Sequence, residues 1–220
     1  MKTKKKLSFY VLLSFIFCIF YIILAAKPLN TEYEFSPVWK IDISSPQNKE
    51  FAETDKLLHF KLGQNMGYFT EDGAITDSIS YPYKSSISES CYTFYNANNS
   101  DAAVYAPHGE KLCTINESGF LKIYGGLIFN FLPGGTAFSV YDMNGAKLWD
   151  YGGTVPITAF ASSDGGTVAG FADGSIRVFK TDGTVRQHFT PGGSDIPVIL
   201  GAAISPDGDY IAVVSGQKRQ

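Results

Sequence analysis

Past residue 40 the chain offers almost no helical periodicity, and its 220 residues include only three histidines, three cysteines and two tryptophans. Each scarcity excludes something. His59, His108 and His188 stand far apart, with no carboxylate or cysteine at metal-ligand spacing, so no histidine metal centre is expected. A Gly-x-Ser-x-Gly elbow and a Gly-x-x-x-x-Gly-Lys loop are both missing. The pairs Gly125-Gly126, Gly134-Gly135, Gly152-Gly153 and Gly192-Gly193 lack the strand-to-helix setting that a phosphate cradle needs. Paired carboxylates at glycosidase spacing are not identifiable either, so the sequence names no catalytic constellation and no cofactor. The first 27 residues hold Lys2, Lys4, Lys5, Lys6 and Lys27 with no acid, which leaves 13 basic against 21 acidic residues, a net of −8, for the rest. Such a surface repels phosphate backbones, and no nucleic-acid partner is expected. Apolar residues are not scarce. At 45% hydrophobic, with 17 Phe and 13 Tyr, the chain can bury a sizeable core and is not disordered.

One long apolar run stands at the amino terminus. From Leu7 to Ala26 only Ser8 and Ser14 are clearly polar, and 20 residues at 1.5 Å each span about 30 Å of hydrocarbon. The run exceeds the apolar region of a secretory signal, and Leu24-Ala25-Ala26 is a poor cleavage site, so residues 7–26 read as an uncleaved transmembrane signal anchor. Four lysines before the span put tail 1–6 in the cytoplasm and the remainder outside, on the bacterial periplasmic or extracellular side. Residues 27–36 read as a stalk. Cys18 reads as an apolar membrane residue. Cys91 and Cys113 fall on the oxidising side, where two readings stand open: a disulfide if their strands are neighbours in register, or two buried small hydrophobes.

Beyond the stalk, short runs of Val, Ile, Tyr, Phe and Thr are cut by Asp-Gly and Asn-Gly pairs, the punctuation of hairpins. Glycine accepts the positive φ of a tight turn, and Asp or Asn before it tolerates the same region. Aligned on itself, Val104 to Leu112 superposes on Val140 to Leu148, sharing Val, Tyr, Gly, Lys and Leu at a shift of 36. The aromatic-x-x-x-Gly frame recurs at Phe69 to Gly73 and Phe179 to Gly183, which places turn glycines at Gly73, Gly109, Gly145 and Gly183. A second marker pairs Asp164-Gly165 with Asp207-Gly208. About 40 residues suffice for a four-stranded propeller blade. The unit 157–189 shows four strands, and alternation in Ile176-Arg177-Val178-Phe179-Lys180 reads as a half-buried strand with its basic residues on the outer face.

The pattern Val-Tyr-Asp-x-Asn-Gly-x-Lys-Leu-Trp at 140–149, with Ile204-Ser205-Pro206-Asp207-Gly208-x-Tyr210-Ile211-Ala212, resembles WD40-like and quinoprotein-like (PQQ-like) β-propeller repeats over residues 60 to 216. Trp149-Asp150 is a lone pair of the WD40 kind with no Gly-His beside it, so that family's internal hydrogen-bond network is not carried over. Ser162 to Thr167 resembles the aspartate box of sialidase-like propellers, but Ala169 or Gly170 stands where an aromatic is expected. The resemblance implies an all-β fold, a partial propeller of four-stranded antiparallel blades preceded by one transmembrane helix. The blades cover 37–79, 80–115, 116–151 and 155–190 of the domain 37–220, with an incomplete fifth over 197–220. Two accounts of the incomplete blade stand: a piece of a larger ring, or closure by a strand near Phe35 to Ile43. The functional expectation is a membrane-held, extracytoplasmic platform that binds membrane lipid through residues 7–26 and a protein partner, rather than an enzyme. Its rival is a piece of a propeller enzyme, quinoprotein-like or hydrolytic, whose active residues lie elsewhere.

Overall fold

The computed structural model describes residues 2–25, 36–43, 56–96, 101–192 and 197–216, with side chains of the helix from Phe9 to Ile23. The chain divides into two units, 1–40 and 41–220. In the first, the apolar run forms helix α1 (Lys2–Ala25), which has no amphipathic face, and every described side chain from Phe9 to Ile23 is exposed. Among the described residues no helix is long and apolar enough to cross a membrane, so the span expected over 7–26 is not shown by the fold. The described side chains cover fifteen residues, about 22 Å of helix against a hydrocarbon core of about 30 Å. Residues 36–43 contain no strand, which removes the expected closing strand from the described part of 35–43; the stalk before residue 36 lies outside the described residues.

The second unit is built of β-strands cut by turns, as the Gly-Asp punctuation dictates. Five antiparallel sheets follow one another, each a meander in chain order. The first holds β1 (Leu57–Leu62), β2 (Asn65–Thr70) and β3 (Ile75–Ser80). Three four-stranded sheets follow: β4 (Lys84–Ile87), β5 (Tyr92–Tyr95), β6 (Ala102–Tyr105) and β7 (Lys111–Ile115); β8 (Phe120–Tyr124), β9 (Leu127–Phe131), β10 (Ala137–Tyr141) and β11 (Lys147–Gly152); and β12 (Ile157–Ser163), β13 (Gly166–Phe171), β14 (Ile176–Phe179) and β15 (Val185–Phe189). The last has two strands, β16 (Ile199–Ile204) and β17 (Ile211–Ser215).

There is no single core. Met66 and Tyr68 of the first sheet pack with Tyr92 of the second. Val104 and Ile115 of the second meet Leu121 and Ile128 of the third. Phe129 and Phe138 of the third meet Phe171 and Phe179 of the fourth, and Val168 and Ile176 of the fourth meet Ile199 of the fifth. The second, third and fourth sheets are therefore covered on both faces by their neighbours, which is how blades stack around an axis. The repeated aromatic explains itself here: Tyr105, Tyr141 and Phe179 each enter the layer between their own sheet and the preceding one. At about 1.5–3 kcal/mol per fully buried large side chain, these layers carry most of the folding energy.

The stacking corrects one sequence reading. The strand 176–179 is not half-buried, because Ile176 and Val178 face the fifth sheet while Phe179 faces the third. Polar ties cross between sheets as well: Ile123 N donates to Ser86 Oγ (3.1 Å), and Thr158 Oγ1 and Ser163 Oγ donate to the carbonyls of Ile199 (2.6 Å) and Ser205 (2.7 Å).

Candidate interaction site at the uncovered end

The turn glycines do more than reverse the chain. Gly73, Gly109, Gly145 and Gly183 have φ of +86°, +84°, +81° and +83°. In each turn the glycine N–H donates to the carbonyl three residues before it, and a ladder bulge falls at the preceding aromatic. This is a type I turn closed by a glycine bulge. Among the described residues no non-glycine has positive φ, so the Asp and Asn do not share the left-handed region as the sequence reading held. Aspartates act through their carboxylates instead. Asp182 Oδ1 accepts from Thr184 N (2.9 Å), and Asp207 Oδ1 from Asp209 N (3.1 Å). The hydroxyls of Thr184 and Ser205 first, and these backbone bonds second, hold the carboxyls of Asp182 and Asp207 below the usual range. At the Asp164-Gly165 turn the positive φ (+141°) belongs to Gly166. Gly165 is required for closeness: a Cβ there would stand 2.1 Å from Gly208 N and 2.2 Å from Asp207 C. The two Asp-Gly markers thus meet, one on each of two adjacent sheets.

A rule of sheet-to-sheet locking follows from the same glycines. A Cβ on Gly145 would lie 3.1 Å from Cys113 Cβ on the outer strand β7 of the preceding sheet, and one on Gly183 would lie 2.6 Å from the Trp149 ring on β11. Cys113 and Trp149 are equivalent positions, 36 residues apart within the shared Lys-Leu-x motif. The next equivalent is Gln187 on β15. Among the described residues no turn glycine sits on it, and all five residues of β15 are exposed. Among the described residues the fifth sheet has two strands, β16 and β17, and no third-to-fourth-strand turn. Val185, Phe189, Leu200, Tyr210 and Val214 are left exposed. β17 pairs with β16 on one side, and among the described residues nothing pairs on the other. Arg186 joins the two elements, donating to Gly208 O (2.9 Å) and lying 3.5 Å from Asp209 Oδ1.

The densest polar cluster lies elsewhere, on the third sheet, and sequence reasoning missed it. Glu117 Oε2 accepts from Tyr141 Oη (2.7 Å) and Asn130 Nδ2 (3.2 Å), with Lys147 Nζ 3.8 Å from Oε1. Burial pushes the Glu117 carboxyl up, but hydrogen bonds from Tyr141 and Asn130 and the Lys147 charge bring it below the ordinary value. Burial and then Glu117 raise the Tyr141 phenol. The carboxylate is held by side chains of β9, β10 and β11, so this is a clasp joining the connection 116–119 to those strands. A lone Asn inside Leu-Ile-Phe-Asn-Phe was its only sequence signal.

Cys91 and Cys113 are buried free thiols, and Cys18 is free and exposed. β6 lies between β5, which Cys91 precedes, and β7, so the two thiols are two strand spacings apart, about 9–10 Å, beyond the usual disulfide reach. Burial raises both thiols. His59 is on β1, His108 in the turn before β7 and His188 on β15. Among the described residues no group of three or more His, Cys, Asp or Glu could hold a metal ion.

Sheets that meet pairwise through shared layers define a β-propeller, here seen as part of a ring. The chain belongs to a family of beta-propeller proteins, whose model matches residues 1–220. It is 37% identical over 229 residues to an uncharacterized protein of Treponema pallidum (strain Nichols), covering all of this chain and 61% of that one. The chain thus spans about six-tenths of the length of the curated relative it matches. Solved structures agree on the fold. Hsv2 of Kluyveromyces lactis matches at TM-score 0.57 and 16% identity, over 76% of this chain and 57% of that one. KlHsv2 with loop 6CD replaced by a Gly-Ser linker matches at 0.56 and 14%, over 78% and 62%.

Proposed function

We propose that the protein is a membrane-held, extracytoplasmic propeller that works as a protein-binding or assembly platform, not as an enzyme. The observation that carries the reading is the exposed strand β15: among the described residues Gln187 lacks the glycine turn that covers Cys113 and Trp149 at the same position, and nothing pairs with the second edge of β17. Unpaired strand edges recruit other chains, and propellers of this kind leave such edges short or protected. The engagement of Glu117 by Tyr141, Asn130 and Lys147 favours a structural role over acid-base chemistry at the best-formed polar cluster. The exposed, all-round apolar face of α1 over Phe9–Ile23 supports lipid as the partner of the first unit, and four lysines before it support an outward-facing propeller.

A photo-crosslinking residue at position 187 or 214, in cells, tests the platform. A discrete adduct of reproducible mass at both positions, missing from a control at Lys147, is expected. Adducts with chaperones and proteases alone would refute it. Protease added to spheroplasts should digest residues 41–220 if the propeller faces outward; protection until lysis would overturn that placement.

A further inference from the structure

Arg177 enters a layer in which a charge has no evident business. Strand β14 is covered on both faces, and Arg177 shares its face with Phe179, toward the aromatic layer between the third and fourth sheets. Its guanidinium carbon lies 5.1 Å from the Tyr151 ring centroid and 5.7 Å from that of Phe171. The residue is half-buried, and its Nε is shielded from water with no hydrogen-bond partner. Among the described residues it forms no ion pair. The neighbouring acid, Asp173, is spent on its own turn, accepting from Ser175 N (2.9 Å) and Ser175 Oγ (2.7 Å). Directly across the ladder stands His188, exposed on β15.

Two rings hold the guanidinium by cation–π attraction, while its Nε–H, shielded from water, has no acceptor. A buried donor in this state is costly unless an acceptor reaches it, and a charged acceptor returns the most. We propose that Arg177, held by Tyr151 and Phe171, is a carboxylate-binding site beside the connection between β11 and β12. The ligand is a monoanion rather than a polyanion, because Arg177 is the one permanently charged group on β14 and the chain beyond residue 27 carries a net −8. A planar carboxylate matches the fork with two parallel hydrogen bonds, which a lysine in its place would not reproduce. The site is independent of the uncovered end.

The test follows the Arg177 Nε–Hε resonance by NMR in the full chain in zwitterionic micelles. The probes are acetate, a blocked Gly-Glu-Gly peptide, a blocked Gly-Gln-Gly peptide, inorganic phosphate and chloride. A saturable shift with acetate and Gly-Glu-Gly, and none with Gly-Gln-Gly or chloride, is expected. Gly-Glu-Gly binding at least fivefold tighter than acetate identifies a protein acid as the source, and equal affinity a small carboxylate. In Arg177→Lys, acetate affinity, read from neighbouring amide shifts, should fall at least tenfold. No saturable shift in the unsubstituted chain, a response matched by chloride, or tighter binding of phosphate would each overturn the proposal, whether or not Arg177→Lys folds.

Discussion

Substituting Gly183 and Gly109 by alanine separates two costs that the repeat superimposes. Both glycines close the same turn at nearly the same φ, +83° and +84°. At Gly109 a Cβ would meet only Tyr92 Oη, at 3.7 Å, so Gly109→Ala pays for the left-handed conformation alone, about 1–2 kcal/mol. At Gly183 the new methyl would also stand 2.6 Å from Trp149 Cγ and 2.9 Å from its Cβ, so the indole and its strand must shift. Overpacking of that kind adds about 1–3 kcal/mol. The indole is not free to yield, since it stacks on Phe179 at 5.4 Å and lies edge-on to Phe138 at 5.4 Å. Gly183→Ala should therefore cost about 2–5 kcal/mol in urea unfolding, and roughly 2–4 °C of Tm for each kcal/mol in a domain of this size. The double substitution with Trp149→Ala supplies the control: in that background the cost of Gly183→Ala should fall to that of Gly109→Ala. Equal costs at the two glycines in the unsubstituted background would refute the locking rule, and with it the reading of Gln187 as an unfilled position.

Four further outcomes are expected. Tyr141→Phe removes a hydrogen bond to a carboxylate and should cost about 1.5–3 kcal/mol by chemical denaturation. Because the folded pKa of Glu117 lies below its unfolded value, its stabilisation is complete above the ordinary carboxylate range and is lost as pH falls through the folded value. Glu117→Gln should accordingly flatten the acid limb of the stability-pH curve near pH 4 and below, and an unchanged limb would count against the clasp. Alkylation of the oxidised, unreduced protein should leave Cys91 and Cys113 untouched while folded and label both after denaturation; resistance after denaturation would mean a disulfide and would contradict the strand placement. In hydrogen exchange, amides of β13, buried along its whole length, should outlast those of β17, and equal protection would show β17 to be covered.

The fold class was legible because its cause is local. A turn that needs glycine at one position stamps Gly73, Gly109, Gly145 and Gly183 into the sequence at intervals of 36, 36 and 38, and the aromatic four residues earlier marks the layer that each sheet shares with the one before. Which faces are buried was not legible in the same way. Alternation in Ile176-Arg177-Val178-Phe179 looks the same whether one face or both are covered, and the difference comes from neighbouring sheets rather than from the strand. Glu117 and Arg177 escaped for the same reason: their partners Tyr141, Lys147, Tyr151 and Phe171 are brought to them by strands that no local spacing relates.

That distinction bears on the candidate site itself. Cys113, Trp149 and Gln187 occupy one position of the repeat, yet Cys113 is buried, Trp149 half-buried and Gln187 exposed. The residue types follow the environment only in part, since a polar side chain stands where the next sheet supplies no hairpin and apolar ones stand where it does. Coverage is a property of the following sheet: among the described residues β16 and β17 leave β15 exposed while Ile199 on β16 is fully buried. The inner strands can therefore hold the stack together while the outer ones stay available.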